Sequence, residues 1–415
     1  MTAGTAVVDL PTSREEAWRY TPADEIRARF ERATVATRGD RPLPECSLVD
    51  DLAGNVGGPR LVFVNGTYAP ELSDDQGLPN GLWCGPAGPD HAAVVRALAA
   101  DESPPPDGFL THNRTDRLES AVVVADAGVR FHDPVHVVHV TLPDRLGADE
   151  GLVSNPRTIV EVGDGGHLTV VETYCSVDGP TITNTSSTLR IGAHAELDHC
   201  RIQVESSSAT HIGHTRVEQG EGSRLAMASV TVGSDIARNA IDVHLDAPGA
   251  RTELSGVNVT RGHQRHDTVV TVEHTASRCA SNQRFAGVVD DHGRGSFSGE
   301  IVVHPGTVAT DAHQTNRNLV LDPHAEADTR PWLRILADDV RCTHGATVGR
   351  LDDEALFYLR SRGIAVAQAR TMLIDAFVTE VTEAITNAAV RAHVATVVAL
   401  RKTPVVDGDG TEEHA

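Results

Sequence analysis

Five turn-then-strand units recur through the middle of the chain at near-constant spacing: Gly166 (GHLTVVE), Ala195 (AELDHCR), Ser223 (SRLAMAS), Ala250 (ARTELSG) and Ser277 (SRCASNQ). Successive starts lie 29, 28, 27 and 27 residues apart. A period in this range marks stacked structural repeats, each of which buries its apolar face only against its neighbours. The units are β-branched runs broken by small polar turns, so they are expected to stack as a β-solenoid filled with Val, Leu, Ile and Ala. An antiparallel sandwich with evenly spaced hairpins is the competing reading, and the regular period argues against it.

Composition narrows the class further. Only 4% of the 415 residues are aromatic while 40% are hydrophobic, which favours layered β structure packed with small aliphatic side chains. A formal net charge of -22 would repel a phosphate backbone, so a nucleic-acid partner is not expected. No apolar run is long enough to span a bilayer, and Met1 to Pro11 lacks the basic start and apolar core of a signal peptide. A cytoplasmic location without a membrane partner is the resulting expectation. The six cysteines contain no CxxC pair and read as reduced thiols. Lys402 is the only lysine, which excludes a Walker A loop and a Schiff-base enzyme. Any ATPase working with this protein therefore sits on another chain.

The pattern divides the chain into an N-terminal helical and mixed region (1–121), a β core (122–335), the end of the β core with a C-terminal helical domain (336–403) and a disordered tail (404–415). In the first region Ser13 and Glu16 form a capping-box pattern ahead of a largely helical Pro11–Thr37 segment that breaks at Pro22. Leu61 to Val64, Asn65-Gly66 and Thr67-Tyr68 read as a hairpin with a tight turn. Asp101 to Gly108 reads as an exposed loop. Near the C-terminus, a helix over Asp352–Arg362 stops at Gly363. A second helix carries Leu373, Phe377, Val381 and Ile385 at i, i+4 spacing, and a third runs from Ala389 to Leu400.

The segment Asp338 to Thr347 (DDVRCTHGAT) places a thiol and an imidazole two residues apart in an otherwise extended run. On a strand, Cys342 and His344 project to one face. Two ligands do not close a tetrahedral zinc or cubane iron-sulfur site, so the pair is incomplete, shared with a second chain, or simply packed. The His132/His136/His139 group and the His263/His266 pair form no ligand motif and are read as structural or solvent-exposed histidines. No GxSxG, HExxH or GxGxxG pattern supports an enzyme, and turnover by this chain alone is not expected. The acidic pairs Asp290-Asp291 and Asp338-Asp339 keep open a β-helix lyase or isomerase acting on carbohydrate. A purely structural adaptor is the third reading.

The block Ala337 to Ile364 (ADDVRCTHGATVGRLDDEALFYLRSRGI) closely resembles the C-terminal block of the SufB/SufD family, components of the SUF iron-sulfur cluster assembly machinery. Upstream positions fit the same pattern, among them Gln283, Phe285, Gly299, Gln314 and Asn316, as do Glu16 to Thr21 and Val64-Asn65-Gly66. Thr343-His344-Gly345 and Arg317 favour the SufD branch, since SufB-like chains show a Glu-His-Glu type segment and a cysteine near those positions. Trp332 and Arg334 depart from the family pattern. The resemblance implies a mainly β fold: a right-handed parallel β-helix core, an N-terminal helical region and a C-terminal α-helical domain. It further implies a non-catalytic scaffold that pairs with SufB through the β-helices and docks the SufC ATPase through the C-terminal domain. The cargo implied is an iron-sulfur cluster held transiently between subunits, with flavin left open. By the same resemblance His344 is the first candidate ligand from this chain and Cys342 the second.

Overall fold

The computed structural model describes residues 9–38, 43–88, 105–143 and 151–402. The expected tail over 404–415, residues 101–104 of the expected loop and most of Met1 to Pro11 lie outside the described residues.

From Arg157–Val162 onward consecutive strands alternate between two sheets, which makes this part of the chain a parallel β-solenoid. The first sheet begins at Leu82–Pro86 and Ala121–Ala125 and ends at Arg294–Val303 and Glu326–Ile335. The second begins at Thr67–Tyr68 and Arg60–Val64 and ends at Thr310–Val320 and Val340–Gly349. Each coil therefore holds two strands, and the sequence period traced only those of the second sheet. Glu196, Arg224 and Arg251 are register partners on successive coils, as the 28- and 27-residue steps require. The next step differs from the sequence expectation. Arg251 pairs with Ala280, a step of 29, because the turn before that strand takes in extra residues with Arg278 in the left-handed region at φ 62.

The Asn65-Gly66 turn forms as expected, both residues having positive φ (49 and 80) between antiparallel strands. The expected capping box does not. No side chain caps the short helical turn Glu16–Trp18, and Ser13 instead hydrogen-bonds Asp24. Helix α1 (Ala23–Arg32) starts just after Pro22, with acidic residues in its first turn and basic ones in its last. It buries Ile26 and Phe30, and Arg29 anchors it to the rod through Asp235 at 2.5 Å. The Glu16–Thr21 motif clasps the first sheet: Arg238 lies 4.1 Å from the Trp18 ring centre and 2.5 Å from Asp267, which also accepts the Thr21 hydroxyl.

Helix α2 (Cys46–Ala53) lies on the second sheet and α3 (Gly108–Asp116), capped by Asp107, on the first. At the C-terminus come α4 (Asp353–Ser361), α5 (Val366–Thr382) and α6 (Ala388–Lys402). Asp352 caps α4 by accepting from Glu354 and Ala355, and Gly363 at φ 84 terminates it. Helices α5 and α6 lie on the second sheet. The buried stripe of α5 is Ala369, Ile374, Val378 and Val381; Leu373 and Phe377 are only partly buried, and Ile385 lies beyond the helix. Val381 and Ile385 are buried as the i, i+4 spacing expects, while Ile374 and Val378 take the buried places expected of Leu373 and Phe377. No helix among the described residues is long and apolar enough to cross a membrane.

The interior of the early coils is not purely apolar. Glu172 accepts from Tyr174 (2.6 Å) and Ser187 (2.8 Å), and lies 2.7 Å from His199 Nε2, all within the rod. Burial pushes the Glu172 carboxyl up, but the bonds and charge of His199 together with the two hydroxyls outweigh it and hold the group at about 2. Glu205 and His211 form a second enclosed pair at 2.7 Å, with Arg201 bonded to the same ring.

Candidate functional site

Cys342 and His344 stand on the Val340–Gly349 strand, which closes the second sheet. Val340, Thr343, Thr347 and Val348 suit a pleated run, and Asp352 converts the chain to helix soon after it. Asp339 pins the preceding turn by accepting from the Ala309 N–H at 3.1 Å.

Parallel register fixes where the pair faces. Cys342 lies beside Ala312 and His344 beside Gln314, both residues of the buried face of Thr310–Val320. Both candidate ligands therefore belong to interior lanes of the solenoid. What distinguishes them is that no described strand pairs beyond theirs. Cys342 remains partly covered by a cluster of Ile301, Val303 and Ala312. His344 is exposed. Burial raises the Cys342 thiol above its ordinary range, and the neighbouring Asp311 carboxylate adds to the shift.

The floor beneath His344 is amide. Gln314 donates to Gln283 Oε1 at 2.9 Å, while Gln314 Oε1 and Gln283 Nε2 are buried with no hydrogen-bond partner among the described residues. Asn318 donates to Asn316 Oδ1 at 2.6 Å one lane over. Gly299 on the opposite sheet leaves room for the Gln314 amide, since a Cβ there would collide with it. The family pattern had picked out Gln283 and Gln314 without giving them a place. Their spacing supplies one: 31 residues separate them and 30 separate Gln314 from His344, one coil each.

The other histidine groups separate. His136 bonds Thr173 (2.8 Å) and His139 bonds Thr158 (3.1 Å), both enclosed. His266 is buried against the Gly233 carbonyl at 2.6 Å, whereas His263 lies on the surface. No three His, Cys, Asp or Glu gather to hold a metal among the described residues, so Cys342 and His344 do not form a closed site by themselves. The acidic pairs that kept a carbohydrate-active reading open serve turns. Asp291 accepts from Gly262, Asp290 from Asp291, and Asp339 from Ala309.

The surface around the pair is apolar for an exposed sheet end. Trp332, Leu336 and Val348 on the last coil are about half exposed. Arg330 covers one side of Trp332 at 4.8 Å, and Arg334 lies 3.4 Å from Glu300, which gives the two family departures local partners. Arg317 pairs with Glu380 and sits 5.3 Å from the Phe377 ring, joining the rod to α5. Helix α4 buries none of its residues and exposes Phe357 and Tyr358.

Known proteins resemble this chain over most of its length. Residues 145–377 match the family model described as SUF system FeS cluster assembly, SufBD core domain. The iron-sulfur cluster assembly protein SufD of Escherichia coli is 31% identical over 93% of this chain and 88% of its own length. An iron-sulfur cluster assembly SufBD family protein of Synechocystis is 30% identical over 94% of this chain and 87% of its own. A SufBD family protein of Mycobacterium tuberculosis is 26% identical over 90% and 84%.

Proposed function

The chain belongs to the SufBD family of iron-sulfur cluster assembly proteins, and from that premise we propose that it is a SufD-type scaffold subunit without turnover of its own. Its last coil is covered by a SufB-type solenoid, and its C-terminal helices dock a SufC-type ATPase. The nascent cluster is cargo, held between the two rods. The observation that carries this reading is the uncovered interior lane at the end of the stack, where His344 is exposed and Cys342 half-buried.

Two features support a covered end, and a third supports a separate partner. Among the described residues no strand pairs with the outer edges of the terminal strands, and an open strand edge is a liability that proteins cover or blunt. The half-exposed Trp332, Leu336 and Val348 supply apolar area beside those edges. Exposed Phe357 and Tyr358 on α4 and exposed Val366 and Met372 on α5 form a second apolar surface suited to a separate partner.

Chemistry orders the two ligands. A neutral imidazole offers a lone pair without losing a proton, so His344 takes up iron first. The Cys342 thiol, held protonated by burial and by Asp311, gives up its proton when iron arrives, because a coordinating cation deprotonates a thiol. The remaining ligands come from the partner rod. The Gln314 carbonyl oxygen, buried and without a partner among the described residues, belongs to the register neighbour of His344 and would accept from the ring nitrogen that does not bind iron.

The test is a complex reconstituted with the His344→Ala chain. Iron and acid-labile sulfide should fall severalfold while the subunits still co-elute. Wild-type cluster content in that complex would overturn the ligand role.

A further inference from the structure

Three surface histidines fall on the same corner of three successive coils. His263, His292 and His324 follow the second-sheet strands Arg251–Thr260, Ala280–Val289 and Thr310–Val320, at 29- and 32-residue spacing. The His263 and His292 rings stack 5.1 Å apart at 12°, and the His292 and His324 rings lie 4.9 Å apart at 40°. All three are exposed.

Main-chain bonds lock the rungs in place. The His292 N–H donates to the Gly262 carbonyl at 3.0 Å, and Gly262 N–H donates back to Asp291 Oδ2 at 3.1 Å. The His324 N–H donates to Asp322 Oδ1 at 2.8 Å, and its ring Nδ1 lies 2.9 Å from that same oxygen. A carboxylate on Nδ1 keeps the proton there and leaves the Nε2 lone pair for another group, the arrangement that orients metal-bound histidines. Exposed rings gain little from stacking on one another, so packing alone does not account for three rungs in a row.

We propose that this ladder is a binding site for a first-row divalent cation, separate from Cys342 and His344. Imidazole donors without thiolate suit Zn²⁺, Fe²⁺ or Co²⁺. Metal–nitrogen bonds of about 2.0–2.1 Å in a tetrahedral shell set the two nitrogens about 3.4 Å apart. Adjacent rungs reach that separation by turning their exposed rings toward each other, with water completing the shell and Asp322 remaining the outer partner on His324 Nδ1. The ladder is a row and not a closed shell, as the lack of a ready three-ligand cluster among the described residues requires. His292 is the shared rung of both possible pairs.

The ladder logic makes a prediction that scattered surface histidines do not. The full chain, free of any affinity tag and carrying Cys342→Ser and His344→Ala, is titrated with Co²⁺ and followed by visible absorption. Saturable binding of one ion per chain with a nitrogen and oxygen ligand spectrum is expected. His292→Gln should weaken it at least tenfold, while His263→Gln and His324→Gln, each leaving one pair intact, should weaken it only two- to threefold. Circular dichroism controls for folding. Absence of saturable binding, or equal effects of the three substitutions, would overturn the proposal.

Discussion

His199 and His344 occupy the same interior lane of the second sheet, linked rung by rung through Met227, Leu254, Gln283 and Gln314. The first is sealed inside the rod against Glu172, and the second is exposed. Neither local sequence nor backbone conformation accounts for the contrast. Each coil of a solenoid is the lid of the coil before it, so availability depends on position along the stack. A histidine in an early coil is structural because a further coil covers it; the same lane position at the end is available for chemistry because none does.

The largest effect should come from the sealed end of this lane. Glu172→Ala leaves His199 without its carboxylate and Tyr174 and Ser187 without their acceptor, and is expected to cost about 3–5 kcal/mol. Urea denaturation measures it; a change below about 1 kcal/mol would mean that the early coils do not depend on this pair.

Acid should act on other histidines sealed in the rod. His136 is held down to about 3, and His139, His266 and His274 to about 4, in each case chiefly by burial. Their folded values lie below the unfolded value of about 6.5, so the unfolded chain takes up protons first and stability falls as pH drops from about 6.5 toward 4. At pH 5 each contributes a loss on the order of 1–2 kcal/mol relative to pH 8. Denaturant midpoints at the two pH values check the slope, and His139→Gln should flatten it.

The smallest effect sharpens the contrast from the open end. His344→Ala should change the stability of the isolated chain by no more than about 0.5 kcal/mol. A loss of several kcal/mol in thermal or urea unfolding would place His344 among the packed residues and equate the two ends of the lane.

Much of the fold was legible because a solenoid writes its period into the chain. The 27–29 residue step, the Asn65-Gly66 turn and the α4 boundaries at Asp352 and Gly363 are set by local rules of turns, caps and alternation. The second strand of each coil went unread, since the matched segments all fell on one sheet. The extra residues before Ala280 were missed for a related reason: a turn absorbs an insertion without disturbing the strand pattern on either side. Ser13 fitted a capping box, yet a tertiary partner, Asp24, took its hydroxyl. The first half of the expected stripe moved from Leu373 and Phe377 to Ile374 and Val378 because the sheet beneath it, and not the helix alone, decides which residues are covered.

The sequence by itself determined that the chain stacks β repeats, that Cys342 and His344 share one strand face, and that no nucleotide-loop or Schiff-base lysine is present. Only the tertiary structure decided that this face is the interior lane, that the lane ends there uncovered, and that amides from the two preceding coils lie beneath it. The physical reason is that alternation along a strand fixes relative facing over two residues, whereas inside, outside and end are properties of the whole stack.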